Sequence, residues 1–105
     1  MMTYSDAKKE LGNRVTKKLA HETILFRDGD DYVIRYWYTN IIRIRPSGKY
    51  SIYTGGFTTI TTKRRIMKYV PIKLRQRKFK LEILCGNEWK LCPDSFVIQP
   101  KGMLK

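Results

Sequence analysis

Short apolar runs alternate with polar residues along most of the chain, and this pattern predicts a fold built mainly from β-strands. Residues 23–27 and 32–38 each alternate over one strand length, and the Asp- and Gly-rich residues 28–31 between them are typical of a hairpin turn. Residues 41–45 and 49–53 predict two further strands by the same alternation. Strands at this spacing favour an antiparallel meander.

The alternation changes phase in the C-terminal part of the chain. Apolar residues fall on even positions at Ile72 and Leu74 but on odd positions from Phe79 onwards. A strand cannot exchange its two faces without a break, so residues 75–78 are predicted to form a bulge or loop with basic side chains in solvent. Residues 96–98 predict a last strand at a sheet edge.

A further hairpin is expected around Trp89. Both Trp89 and Leu91 occupy odd positions, as do Leu81 and Ile83 before them. These four side chains share one face only if the connection holds an odd number of residues, which residues 85–87 would provide.

Two short helices accompany the strands. Ser5 precedes residues 6–11, which have the composition of a short helix that a serine side chain can cap. Residues 63–70 combine an apolar stripe with several bases and predict a basic amphipathic helix that Thr61 or Thr62 can cap. The elements together predict an α+β, mostly β fold, either a twisted antiparallel meander sheet or a small open barrel.

The length of 105 residues fits one domain, and 42% hydrophobic residues are enough for a packed core. Residues 1–12 are expected to hold the first helix and its lead-in, residues 13–98 the β-rich core and residues 99–105 a frayed tail. Apolar runs are too short to span a membrane, and the charged residues 8–10 do not suit a signal peptide. With only two cysteines, the sequence predicts a soluble protein of the reducing cytoplasm.

Positive charge is concentrated in the middle of the chain. The 22 lysines and arginines outnumber the 9 aspartates and glutamates, which gives a formal net charge of +13. Residues 32–81 contain thirteen of these bases, no acid and nine of the thirteen aromatic residues. Solubility would be served by mixed charges, whereas excluding every carboxylate maximises repulsion. We therefore expect an anionic partner rather than a surface charged for solubility alone.

Large rings occupy both faces of the predicted strand 32–38. Tyr36 and Tyr38 fall on one face and Trp37 on the other, so one set is expected to remain outside the core. Exposed rings beside cations are typical of surfaces on which nucleic-acid bases stack. The candidate stacking residues are Tyr36, Trp37 and Tyr38.

The densest candidate site surrounds the start of the second predicted helix. Paired glycines allow backbone amides to approach a ligand closely, threonine hydroxyls can donate to phosphate oxygens, and a helix start attracts anions. A glycine bulge followed by a capped helix explains the same residues structurally. The candidate anion-binding residues, with basic residues from other segments included, are Gly55, Gly56, Thr61, Thr62, Lys63, Arg64, Arg43, Arg45, Arg75, Arg77 and Lys78.

Residues suited to catalysis or metal binding are scarce. His21 is the single histidine, which leaves no histidine pair for a zinc site or a catalytic dyad. The carboxylates within residues 28–31 lack the other ligands of a calcium loop, and the segment before Lys63 lacks the spacing of a Walker loop. We therefore expect a non-enzymatic protein with no catalytic residues, no metal and no cofactor.

Residues 55–65 read Gly-Gly-Phe-Thr-Thr-Ile-Thr-Thr-Lys-Arg-Arg and resemble a block in a family of small uncharacterised proteins encoded by bacteriophages. That family carries Gly-Gly-Trp-x-Thr-x-Thr-Thr-Lys-x-Arg; here Phe57 stands in place of the tryptophan, and Arg65 falls on the basic position. The resemblance covers residues 13–70. It implies a viral origin and expression in the cytoplasm of a bacterial host, and it implies no particular activity.

Two functions remain open. The first is a binding module for single-stranded nucleic acid or RNA, with bases on the rings and phosphates on the lysines and arginines. The second is a host-takeover or anti-defence protein that captures an acidic host protein or a small nucleotide signal. Neither function involves a membrane, and an exposed sheet edge near Phe96 permits a dimer without requiring one.

Overall fold

Nine strands and two helices occupy the part of the chain that the computed structural model describes, residues 1–54, 60–78 and 80–99. The helices are α1 (Tyr4–Leu11) and α2 (Ile60–Tyr69). The strands, in chain order, are β1 (Thr16–Ala20), β2 (Thr23–Asp28), β3 (Asp31–Tyr36), β4 (Thr39–Ile44), β5 (Tyr50–Tyr53), β6 (Leu74–Arg77), β7 (Lys80–Cys85), β8 (Glu88–Leu91) and β9 (Ser95–Ile98). With 49% strand and 18% helix, the predicted α+β, mostly β fold is confirmed.

Six strands form the main sheet in the order β1-β2-β3-β4-β5-β9. Every neighbouring pair in it is antiparallel, so the first five strands are a meander, as the sequence predicts. The β2–β3 turn is also correctly predicted, because Asp28 pairs with Asp31 across two turn residues. The last strand, β9, lies at the edge beside β5, and within the described ranges the sheet does not close into a barrel.

The β3–β4 hairpin closes earlier than the sequence predicts. Tyr36 pairs with Thr39, so Trp37 and Tyr38 form the turn instead of extending the strand to residue 38. A register shift between Ile34 and the next residue of β3 accommodates one extra residue on β4. Two of the three predicted stacking rings therefore lie at the end of the sheet and not on its faces.

Three strands form a second, smaller sheet in the order β6-β7-β8. The bulge or loop predicted at residues 75–78 is wrong, because β6 continues to Arg77 and pairs with β7. The predicted exposure of basic side chains there is confirmed for Arg77 and Lys78. A turn of two residues pairs an even position with an odd one, so Leu74 lies opposite Ile83 and both are buried. A hairpin rather than a bulge thus accounts for the phase change in the sequence.

The β7–β8 hairpin has the same two-residue geometry, with Cys85 opposite Glu88. Trp89 therefore lies opposite Leu84, and the predicted arrangement of Trp89 on the face of Leu81 is wrong. The error came from expecting a three-residue connection. A loop with an odd number of residues places odd-numbered positions opposite each other, whereas a two-residue loop places an odd-numbered position opposite an even-numbered one. Trp89 lies on the outer face of the small sheet.

The core lies on one face of the main sheet. Cross-strand register aligns Leu25, Ile34, Ile42 and Ile52 in one row, and all four side chains are buried. The helices, the residue after α2 and the small sheet contribute side chains to the same buried cluster. Their buried contributions are Ala7, Leu11, Ile66, Tyr69, Val70, Leu74, Leu81 and Ile83.

Helix α1 begins earlier than predicted because Thr3 caps it. Thr3 Oγ1 accepts a hydrogen bond from the Asp6 N–H (3.1 Å), and the Asp6 carboxylate accepts one from the Thr3 N–H (3.0 Å). This reciprocal capping box satisfies two backbone donors that the first turn leaves free. Ser5, the predicted cap, lies inside the helix.

Helix α2 also begins earlier, at Ile60. Thr61 and Thr62 lie in its first turn, so their predicted role as caps ahead of the helix is wrong. The predicted apolar stripe is confirmed, because Ile66 and Val70 are buried. This stripe holds α2 on the core and leaves its basic residues on the other faces.

Some sequence predictions fall outside the described residues. They are the predictions for the Gly55-Gly56 pair, for Phe79 and for the tail from residue 100 onwards. Of the helices in the described ranges, neither is long and apolar enough to cross a membrane.

We expect Thr3→Ala to lower the free energy of unfolding by about 1 kcal/mol, because it removes the cap of α1. Ser5→Ala, in the position that the sequence favours for the cap, is expected to change it by less than about 0.5 kcal/mol. Urea unfolding followed by circular dichroism measures both variants. Equal losses would contradict the assignment of Thr3 as the cap.

Candidate functional site

A cleft of about 440 Å³ lies where the end of the main sheet meets the first turn of α2. The β3–β4 hairpin and the start of β4 form one side, and the first turn of α2 forms the other. All three predicted stacking residues and two of the predicted anion-binding residues therefore line a single cavity. The lining residues are Tyr36, Trp37, Tyr38, Thr39, Ile41, Thr61 and Thr62.

Backbone contacts fix Trp37 at the rim of the cleft. Its N–H donates to the carbonyl oxygen of Glu22 (2.8 Å), and its φ of 55° lies in the left-handed region that large side chains rarely adopt. The turn keeps the rings out of the core: Trp37 is 51% exposed and Tyr38 is 94% exposed. Large rings left in solvent and joined to a cavity are typical of a binding surface.

Positive charge accumulates at the start of α2. Lys63 is half-buried and Arg64 is exposed, and the first turn contains no acidic residue. Cations are unfavourable there, because the start of a helix already carries a partial positive charge. Helix α1 shows the usual arrangement, in which hydrogen bonds from Thr3 lower the pKa of Asp6. A bound anion would supply to α2 the negative charge that Asp6 supplies to α1.

The candidate residues from the sequence do not include Arg65, which does not line the cleft but contacts Tyr36 of its wall. Its guanidinium carbon lies 5.8 Å from the centre of the Tyr36 ring. Its Nε is buried and has no hydrogen-bond partner among the described residues. The four-residue spacing from Thr61 to Arg65 was the available signal, because residues at that spacing share a helix face.

Two predicted anion-binding arginines have carboxylate partners inside the protein. Arg43 donates to Asp28 (2.7 Å) and to Asp31 (2.9 Å), and these hydrogen bonds raise the pKa of Arg43. Arg45 reaches the same Asp31 oxygen at 3.4 Å. The two aspartates precede the acid-free residues 32–81 in sequence, and the β2–β3 turn places their carboxylates next to the arginines of that segment. These ion pairs give Arg43 and Arg45 a structural role, and neither arginine lines the cleft.

The small sheet carries the other predicted arginines. Arg75 donates to Glu82 (2.8 Å), and its guanidinium carbon lies 4.2 Å from the centre of the Trp89 ring. Arg77 and Lys78 are exposed where β6 turns into β7, and they do not line the cleft. Their predicted role in anion binding stays a prediction.

Other reactive groups do not assemble around the cleft. Across residues 1–54, 60–78 and 80–99, no three His, Cys, Asp or Glu side chains are grouped so that they could hold a metal ion. His21 is exposed, and its ring lies 6.3 Å from the Trp37 ring in an edge arrangement. Burial raises the pKa of Cys92 to about 11, so this thiol is protonated at neutral pH.

Comparison with known proteins returned no match to a family model, to a curated protein or to a solved structure. The resemblance to bacteriophage proteins, with the bacterial cytoplasm that it implies, stays a prediction. The binding partner is therefore inferred from the residues around the cleft.

We expect Arg43→Ala to lower the free energy of unfolding by about 1–2 kcal/mol, because Asp31, with a side chain only 16% exposed, loses the shorter of its two arginine contacts and keeps only Arg45 at 3.4 Å. The exposed Arg77 provides the control, and Arg77→Ala is expected to change stability by less than about 0.5 kcal/mol. Urea unfolding of the two variants makes the comparison. An Arg43→Ala protein as stable as the control would contradict a structural role for this arginine.

Proposed function

We propose that this protein is a non-enzymatic binding protein for single-stranded nucleic acid, including RNA. A base would lie in the cleft against Trp37 and Tyr38, and the neighbouring phosphates would contact the first turn of α2. The observation that supports this function is the cleft itself. It joins exposed rings to the helix start that carries Lys63 and Arg64.

The size and lining of the cleft suit a nucleobase. Sites for small organic ligands have volumes of about 300–1,000 Å³. The 440 Å³ of this cleft lies in the lower part of that range. Rings and Ile41 form most of its wall, and threonines add a few hydroxyl groups. Stacking of a base on an aromatic ring contributes about 1–3 kcal/mol and tolerates any base, so weak sequence preference is expected.

A single strand suits this site better than a duplex does. Bases in a duplex stack on each other and expose only their edges in the grooves. Trp37 and Tyr38 instead offer ring surfaces, which need a base that has left its stack. Unpaired strands and RNA loops present such bases.

The cleft volume also favours a second candidate function, the capture of a small nucleotide signal. A cavity of about 440 Å³ that is lined from two sides resembles the site of a single small ligand. A host-takeover or anti-defence protein would use such a site to remove the nucleotide from solution. Bacteriophage origin and the bacterial cytoplasm are compatible with either function.

Ligand length separates the two functions. For single-stranded oligouridine we expect affinity to rise with length and to fall steeply with salt, because each added phosphate contributes a screened contact. Fluorescence anisotropy with oligomers of increasing length, at two salt concentrations, measures both effects. A mononucleotide that binds as tightly as the longest oligomer would identify a small-nucleotide site instead. No binding of any oligomer would contradict the nucleic-acid function.

We expect the double variant Lys63→Ala, Arg64→Ala to weaken binding of a long oligouridine by a few kcal/mol. Each charge-assisted contact contributes about 1.5–3 kcal/mol. The matched control is Lys8→Ala, Lys9→Ala, which removes the same charge from exposed positions of α1. Equal losses in the two doubles would show that general charge, and not the start of α2, determines affinity.

A further inference from the structure

Three arginines in the described ranges are half-buried: Arg43, Arg65 and Arg75. Arg43 is paired with Asp28, and Arg75 is paired with Glu82. Arg65 has no carboxylate partner in the part of the chain that the structure describes. Half-buried guanidinium groups are normally paired, since removing a charge from water is unfavourable without a counter-charge. Arg65 is therefore the exception that needs an explanation.

Packing, and not an ion pair, holds Arg65 in place. Its guanidinium lies over the ring of Tyr36, with 5.8 Å from the guanidinium carbon to the ring centre. Its Nε is shielded from solvent without a hydrogen bond to any described residue. A guanidinium fixed in this way can still pair with a ligand, whereas those of Arg43 and Arg75 are already paired with carboxylates of the protein.

The position of Arg65 relates it to the cleft. Tyr36, the ring beneath it, lines the cleft, and so does Thr61, which precedes Arg65 by four residues on α2. Residues four apart on a helix are neighbours on one face, and helical side chains lean towards the helix start. Arg65 does not itself line the cleft, but it lies beside two residues that do: Tyr36 beneath its guanidinium and Thr61 one helical turn before it.

We infer that Arg65 binds the phosphate of the nucleotide whose base occupies the cleft, an inference that rests on the proposed function. A guanidinium is planar and can donate two parallel hydrogen bonds to phosphate oxygens, and stacking on Tyr36 fixes the orientation of that plane. Tyr36 then serves as the platform for Arg65, while Trp37 and Tyr38 remain free for the base. The site so defined selects a base with an attached phosphate over a base alone.

The test measures binding of a short fluorescent oligouridine to the full chain and to three variants. Arg65→Gln removes the charge, and we expect it to weaken binding about tenfold or more. Arg65→Lys keeps the charge but loses the planar fork, so an intermediate loss is expected. Lys68→Gln is the matched control, because Lys68 is an exposed cation on the same helix, and its affinity is expected to stay within about twofold of the parent.

Salt dependence gives a second readout that a purely structural role would not change. Loss of one phosphate contact is expected to reduce the slope of log affinity against log salt by about 0.7 for Arg65→Gln, with no such change for Lys68→Gln. Urea unfolding checks that each variant is folded. If Arg65→Gln does not fold, the comparison of Arg65→Lys with the parent protein still tests the planar contact.

Three outcomes would contradict the inference in different ways. If the parent protein binds and Arg65→Gln matches the control in affinity and salt slope, Arg65 does not bind a phosphate. If Arg65→Lys binds as the parent does, the planar two-bond contact is wrong. The nucleic-acid function would stand in both cases. If the parent protein binds no oligouridine of any length, the proposed function fails, and the role of Arg65 fails with it.

Discussion

The two-residue turn between β3 and β4 determines what this molecule can offer to a ligand. Because Tyr36 pairs with Thr39, the rings of Trp37 and Tyr38 have no strand position to occupy. They are held at the end of the sheet by the turn backbone and by the bond from the Trp37 N–H to Glu22. The register of β3 is itself strongly fixed, since a slip of one residue would exchange buried Ile34 for exposed Arg35.

The positions of the carboxylates also determine where positive charge remains available to a ligand. Residues 32–81 contain no carboxylate, yet three carboxylates from outside this segment or at its boundary compensate part of its charge. Asp28 and Asp31 pair with arginines of β4 and its end, and Glu82 pairs with Arg75 of β6. No acid pairs with the cations of α2 in the described ranges, so the positive charge at the start of α2 stays uncompensated, as does that of exposed bases elsewhere, such as Arg77 and Lys78.

Local sequence patterns predicted the elements that depend on local physics. The alternation in β2 to β5 and the turn at residues 28–31 follow from short-range preferences, and so does the stripe that contains Ile66 and Val70. The face on which a side chain lies after a hairpin was harder to predict, because one residue more or less in the turn moves Trp89 to the opposite face of the sheet. Helix starts were missed by two or three residues, since either Thr3 or Ser5 satisfies the composition of a cap.

The candidate site was only partly predictable for a related reason. The rings and the threonines were recognisable as chemistry, but their meeting in one cleft depends on how α2 packs against the end of the main sheet. The ion pairs of Arg43 and Arg75 are contacts between strands, which charge counting along the chain does not reveal. Arg65 is distinguished by having no such pair among the described residues, which only the three-dimensional structure reveals.

Tryptophan fluorescence of two single-tryptophan proteins tests directly whether a base stacks at the β3–β4 turn. Trp89→Phe leaves Trp37 as the reporter. Trp37→Phe leaves Trp89, whose ring centre lies 4.2 Å from the guanidinium carbon of Arg75. If single-stranded oligouridine binds in the cleft, its titration quenches Trp37 to saturation and leaves the emission of Trp89 unchanged. Quenching of Trp89 with an unchanged Trp37 would place the nucleic acid on the small sheet and contradict the role of the cleft.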